Sequence, residues 1–255
     1  MIYKGFDRTG YPGDAIMKSV RDNTELRWCG FYLGPGFDWS PHFPQIQDMG
    51  WGVAPVYGVR SGAKVQAIVN RHSGDPKSME SALWDSGTLD GQQAVDQARA
   101  AHIPLGTILY FDVEDPDQKQ NLNWLEYYRG WSRGVADRYY DVGLYTRKNH
   151  AAWLMGKLRG DGLSRPFDIL MPTIWIAQYS RSNPNGVRVP DADFLSDPLP
   201  TPPDPKTVYS EAAMWQHMGN LGLKWTDSGK TRKLEGVDYD SSIYPDPGTG
   251  FLSTI

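Results

Sequence analysis

A (β/α)8 barrel is the fold class this sequence predicts, and three observations predict it. Short apolar runs of strand length alternate with helix-like stretches, the pattern that builds a parallel sheet covered by helices. Three of those runs, the first, the fourth and the last, end in acidic residues. A barrel of this class assembles its active site at the C-terminal ends of its strands. The 255 residues suit one large unit, expected to span 1–255.

In chain order, the expected strands are Tyr3–Asp7, Trp28–Leu33, Gly52–Tyr57, Thr107–Val113, Val142–Tyr145, Ile174–Tyr179, Ala212–Gln216 and Gly236–Asp240. Asp14–Asn23 reads as a helix with an acidic first turn, which suits the positive end of the helix dipole. Asp90–Ala101 has an amphipathic pattern. Asn121–Tyr139 places Trp124, Tyr127, Tyr128 and Trp131 at helical spacing, and Asn149–Leu158 follows. Two segments break the rhythm. Arg60–Thr88 reads as a long Ser- and Gly-rich connection, helical in part. Ser180–Lys206 carries Pro184, Pro190, Pro198, Pro200, Pro202, Pro203 and Pro205, so it is expected as a long loop on the barrel. The late helices are expected to be weak or missing.

Composition narrows the function classes. Twenty-six basic residues stand against 30 acidic ones, with no long basic tract, so no nucleic-acid footprint is present. No apolar run is long enough to insert in a membrane. Cys29 is the only cysteine, which excludes an intrachain disulfide and a cysteine-rich zinc site. The five histidines, His42, His72, His102, His150 and His217, are scattered singly, and no metal or other cofactor is expected. No G-x-S-x-G elbow marks a serine hydrolase. Ten tryptophans and 14 tyrosines supply more rings than most cores need, and a surplus of rings suits a sugar-stacking groove.

The densest chemical signal is Thr107–Pro116. Side chains alternate along a strand, so Leu109, Phe111 and Val113 share an apolar face suited to covering helices. Ile108, Tyr110, Asp112 and Glu114 share the other face, which turns acidic toward the C-terminal end. Two carboxylates one pleat apart repel, and one then keeps its proton to higher pH, as a general acid must. Asp7 closes the first strand; Asp238 and Asp240 close the last. First and eighth strands are neighbours in a closed barrel, with the fourth across the mouth. Such a gathering of acids suits glycosidic cleavage, which needs a proton donor and a negative group beside the developing cation.

The ordered blocks Gly5-Phe6-Asp7, Asp112-Val113-Glu114, Val142–Thr146, Trp175–Tyr179, Trp215-Gln216 and Gly236-Val237-Asp238 resemble glycoside hydrolase family 25, lysozymes that cut between N-acetylmuramic acid and N-acetylglucosamine. The opening, through Tyr11-Pro12 and Gly30–Pro35, is similar to a related glycoside hydrolase-like group, catalogued as domain of unknown function 1906. The resemblance implies Glu114 as general acid, with Asp112 as its partner on the substrate's N-acetyl group. Asp7 and Asp238 would be supporting acids, and Tyr57, Tyr145, Trp175, Tyr179, Trp215 and Asp240 would line the substrate groove. Asp240 stands where many relatives carry Asn, and the proline-rich insert is longer than the family's link. A family-18 chitinase would need acids at the positions of Tyr110 and Thr107.

The resemblance implies peptidoglycan glycan strands as substrate. With a first strand at Tyr3 rather than a leader, the expected routes to the wall are a phage endolysin freed by lysis or an injected antibacterial effector, the latter with an immunity protein as partner. The competing expectation is a barrel that binds cell-wall carbohydrate without cleaving it.

Overall fold

The structure is a computed structural model that describes residues 1–58, 61–113, 122–160, 171–178, 194–196 and 198–249. Its strands are β1 (Tyr3–Asp7), β2 (Leu26–Leu33), β3 (Gly52–Tyr57), β4 (Ile108–Val113), β5 (Asp141–Thr146), β6 (Thr173–Ala177), β7 (Phe194–Ser196), β8 (Ala212–Asp227) and β9 (Lys230–Ser242). The helices are α1 (Asp14–Asn23), α2 (Phe43–Asp48), α3 (Ser61–Arg71), α4 (Pro76–Ala100), α5 (Leu122–Ala136) and α6 (Lys148–Gly160). Strands β1 to β6 pair in sequence and in parallel; β6 then pairs with β8, and β9 returns to β1. The eight-stranded barrel is therefore closed, as expected, with β7 added outside it on β8.

The last barrel strand runs the other way. Two residues, Ser228 and Gly229, join β8 to β9, and both have positive φ, 51° and 76°. A two-residue loop of that conformation turns the chain into a hairpin, so β9 is antiparallel to β8 and to β1. Asp238 and Asp240 thus lie on a strand descending from the mouth, not at the C-terminal end of a rising one. The hairpin also packs on α1: Trp225 Nε1 donates to Ser19 Oγ at 2.9 Å, and Ser19 donates to Asp227 at 2.9 Å.

Within Arg60–Thr88, expected as a long connection helical in part, the described residues 61–71 and 76–88 are helix. Asp75 caps α4 by accepting from the Ser78 N–H at 3.2 Å, and Pro76 fits the first helical position. Its glycines are contact points rather than breaks. Gly87 and Gly91 of α4 lie against the Tyr127 and Trp131 carbonyls of α5, while Gly130 and Gly134 of α5 lie against Trp84 and Thr88 of α4. Between the helices, buried Asp90 accepts from Tyr127 and from Lys64 Nζ, the latter at 2.5 Å.

Inside the barrel, Trp175 meets Trp28, Tyr110 and Tyr145 edge-on at 5.5, 5.7 and 4.6 Å. Glycines make the room. A Cβ at Gly143 would stand 2.5 Å from the Tyr110 ring, and one at Gly5 would enter the Trp28 indole. Below them the segment after β9 seals the base. Ile108 N–H donates to Gly248 O at 2.7 Å, Tyr110 O–H to Pro247 O at 3.0 Å, and Val53 N–H to Asp246 at 2.9 Å. Outside, Phe111 stacks on Trp131 at 4.9 Å. The alternation read along β4 thus holds on both faces.

Gly87→Ala is expected to lower the unfolding free energy by about 2 kcal/mol, because its new methyl meets a fixed carbonyl. Gly156→Ala, a helical position with nothing within 4 Å, should instead gain about 0.5–1 kcal/mol. Urea unfolding of both variants checks the contrast.

Candidate functional site

Asp7 ends β1 facing the barrel axis, directly opposite Asp238 in the β1–β9 register. It is buried, and donors hold both of its oxygens: Tyr32 O–H to Oδ1 at 2.6 Å and Gln216 Nε2–H to Oδ2 at 2.8 Å. The same Gln216 amide donates to Asp238 Oδ2, also at 2.8 Å. Asp238 Oδ1 accepts the Asn220 backbone N–H at 2.6 Å. That N–H is aimed by an irregularity in β8 between Met218 and Leu221, where Asn220 adopts φ 57°. One amide therefore ties two carboxylates across the seam of β8, β9 and β1. Gly30 admits the arrangement, since a Cβ there would stand 2.5 Å from that of Asp7.

Asp240 lies two residues deeper, level with Gly5, and is fully buried. Trp175 Nε1–H donates to its Oδ1 at 3.2 Å. Burial, with Asp7 and Asp238 beside it, holds its carboxyl well above the usual carboxylate range. Across the ring, β4 stands four strands from β9 in either direction, and carries half-buried Asp112 in register with Tyr145 of β5. The mouth thus has Asp112 on one wall and the Asp7–Gln216–Asp238 group on the other.

The structure does not bring all the expected groove residues together. Glu114 and Tyr179 lie outside the described residues. Tyr57 shares the outer face of the sheet with Phe111, its hydroxyl 3.5 Å from Gln93 of α4, so it packs under a helix rather than at the mouth. Trp215 also faces outward, beside Ile176; its Nε1 donates to Gln178 O at 2.9 Å, and its ring meets His217. Tyr145 and Trp175 do face inward, yet both are buried as the floor of the mouth. An open sugar platform is corrected to a packed floor, because Trp175 packs edge-on against Trp28, Tyr110 and Tyr145.

Three residues gain a place that sequence reasoning had not given them. Tyr32 and Gln216 hold the acids, and the inward period-2 positions of β2 and β8 carried that signal. Phe37 sits on the rim, 5.1 Å from the Tyr32 ring and pressed against Gly58, where a Cβ would come within 2.9 Å. That same Cβ would lie 4.0 Å from Asp112 Oδ2, so the ring and the acid border one opening. Among the described residues no group of His, Cys, Asp and Glu is arranged to hold a metal ion. No helix among them is long and apolar enough to cross a membrane.

Residues 40–238 match the model of the Rv2525c-like, glycoside hydrolase-like domain. The chain belongs to this family. Among solved structures, it is similar to an uncharacterized B. stearothermophilus protein, with a TM-score of 0.60 and 17% identity over 97% of this chain and 99% of that one. The Mycobacterium tuberculosis Tat-secreted protein Rv2525c, in complex with L-tartrate, gives a TM-score of 0.55 and 16% identity over 97% of each chain. The catalytic domain of endolysin ply40, from bacteriophage P40 of Listeria monocytogenes, gives 0.50 and 12% identity over 95% and 93%. At these identities the likeness is one of fold. No curated protein sequence matches. The family assignment agrees with the glycoside hydrolase-like resemblance carried by the sequence blocks.

Gln216→Leu, of similar size, removes the donor common to both carboxylates. The expected loss is about 3 kcal/mol of unfolding free energy, as for hydrogen bonds to charged groups that become unsatisfied. Tyr32→Phe, which removes one donor from Asp7, should lose about 1.5–2 kcal/mol. Denaturant titration at neutral pH measures both.

Proposed function

We propose that this barrel is a peptidoglycan-cleaving glycosidase, a muramidase acting on the bond between N-acetylmuramic acid and N-acetylglucosamine. The observation that carries the reading is the mouth itself: Asp112 faces inward at the C-terminal end of β4, across the ring from the strand that bears Asp238. Glycosidic cleavage needs acids around one opening, supplied from different strands. The family match and the fold shared with a phage endolysin's catalytic domain support a glycan substrate. The fold shared with a Tat-secreted protein supports action outside the cytoplasmic membrane.

In this mechanism Glu114, two residues after Asp112 in sequence, protonates the leaving glycosidic oxygen. A negative charge on Asp112, its neighbour in sequence, would raise the proton affinity of Glu114 by repulsion. As positive charge develops at the anomeric carbon, Asp112 orients and polarises the N-acetyl group beside it. Asp7 and Asp238, fixed by Gln216, keep the opposite wall negative without moving. Phe37 offers an apolar face at the rim on which a sugar ring can rest.

The test is a digest of purified sacculi, with released fragments resolved by mass and reducing end. Wild type should release muropeptides ending in N-acetylmuramic acid, and Glu114→Gln should slow that release by about 10²–10⁴-fold. Fragments ending in N-acetylglucosamine would move the cleaved bond. Sedimentation of both proteins with sacculi and no release by either would replace the enzyme by a carbohydrate-binding barrel.

A further inference from the structure

Beneath the mouth, one buried carboxylate oxygen has no donor. Asp240 Oδ1 has the Trp175 indole N–H, but Oδ2 is buried and meets no donor. The Gln216 amide directs its nitrogen to Asp7 and Asp238, and its own Oε1 is also buried without a donor. Asp7, diagonal to Asp240 in the β1–β9 register, already accepts from Tyr32 and Gln216. The groups that face Asp240 are Asp7 from β1, Asp238 from its own strand, Gln216 from β8 and Trp175 from β6. None is a cation, and no ion pair among the described residues reaches Asp240. Two ionised carboxylates side by side in a buried site repel at a cost that burial magnifies. One hydrogen between them removes both the repulsion and the orphaned oxygen.

We infer that Asp240 is a neutral carboxylic acid in the folded protein, its Oδ2 proton donated to Asp7, and that it thereby positions Asp7 as an ionised carboxylate at the mouth. Burial and the neighbouring charges of Asp7 and Asp238 push Asp240 in the direction this requires. Asp240 is a positioning residue, since Trp175 and Asp7 separate it from the opening. Its catalytic consequence rests on the glycosidase reading; its protonation does not.

The sign of the linkage follows from the direction of the shift. An unfolded Asp releases its proton above about pH 4, whereas the folded Asp240 keeps it. The stability contributed by the neutral acid is therefore complete below pH 4 and falls as pH rises toward the folded value. Asp240→Asn supplies a donor that never titrates. The folding constant of Asp240→Asn relative to wild type should thus grow by about tenfold per pH unit above pH 4. It should level off where the folded acid ionises.

Infrared spectroscopy of the folded protein at pH 7 reads the proton directly. Wild type should show the carbonyl band of a protonated carboxyl, and Asp240→Asn should lose it. A wild-type spectrum without that band, or a variant spectrum that keeps it unchanged, overturns the proposal, as does a stability ratio that is flat with pH. In the sacculus digest, Asp240→Asn should keep the wild-type rate within about threefold, while Asp240→Ala, which removes the donor, should lose about tenfold or more. If wild type releases nothing, the glycosidase reading fails while the infrared and unfolding results still decide the proton.

Discussion

The Gln216 side chain is the point on which the architecture and the site both turn. Its nitrogen donates to Asp7 on β1 and to Asp238 on β9 while its backbone belongs to β8. These are the strands where the barrel closes and where its direction reverses. Paired negative charges at a seam would ordinarily push strands apart. A shared donor, with Tyr32 and the Asn220 N–H completing the set, makes the same charges into a clasp. An acidic mouth is thereby compatible with a closed sheet.

The clasp needs a firm base, and the aromatic interior supplies it. Trp175 fills the axis, touches three rings edge-on, and gives its only N–H to Asp240. The segment at 243–249 closes the opposite end, bonded to β3 and β4 through Asp246, Pro247 and Gly248. The Tyr57 and Trp215 rings do equivalent work outside, under α4 and beside His217. Among the described residues the rings are largely structural: most fill the two layers of the core, while Phe37 borders the opening beside Tyr32.

What the sequence made legible follows from how many faces each strand buries. β4 mixes apolar and acidic residues with period two, so its two faces were read correctly, and Asp112 and Phe111 point as expected. β3 is apolar on both faces, as parallel strands covered on both sides are. Its alternation carries no sign, and Tyr57 was assigned to the mouth while it lies under α4. Trp215 failed for the same reason, beside a Gln whose inward position was the informative one. Gly87, within the connection expected over Arg60–Thr88, reads as a loop residue because glycine disfavours isolated helices. Its value is tertiary, in the close crossing of α4 and α5. The reversal of β9 had a local signal, Ser228-Gly229 between two alternating runs, but the barrel rhythm of the first six strands outweighed it.

The account's central claim is that the mouth between Asp112 and the Gln216 clasp is where a glycan strand is held. A crystal structure of Glu114→Gln with a bound oligomer of alternating N-acetylglucosamine and N-acetylmuramic acid tests it most directly. The expected result is a sugar spanning the mouth, its N-acetyl group on Asp112, its ring beside Phe37 and Asp238 on the far wall. A glycan bound along the outer face, by Trp215 or elsewhere away from the acids, would contradict it.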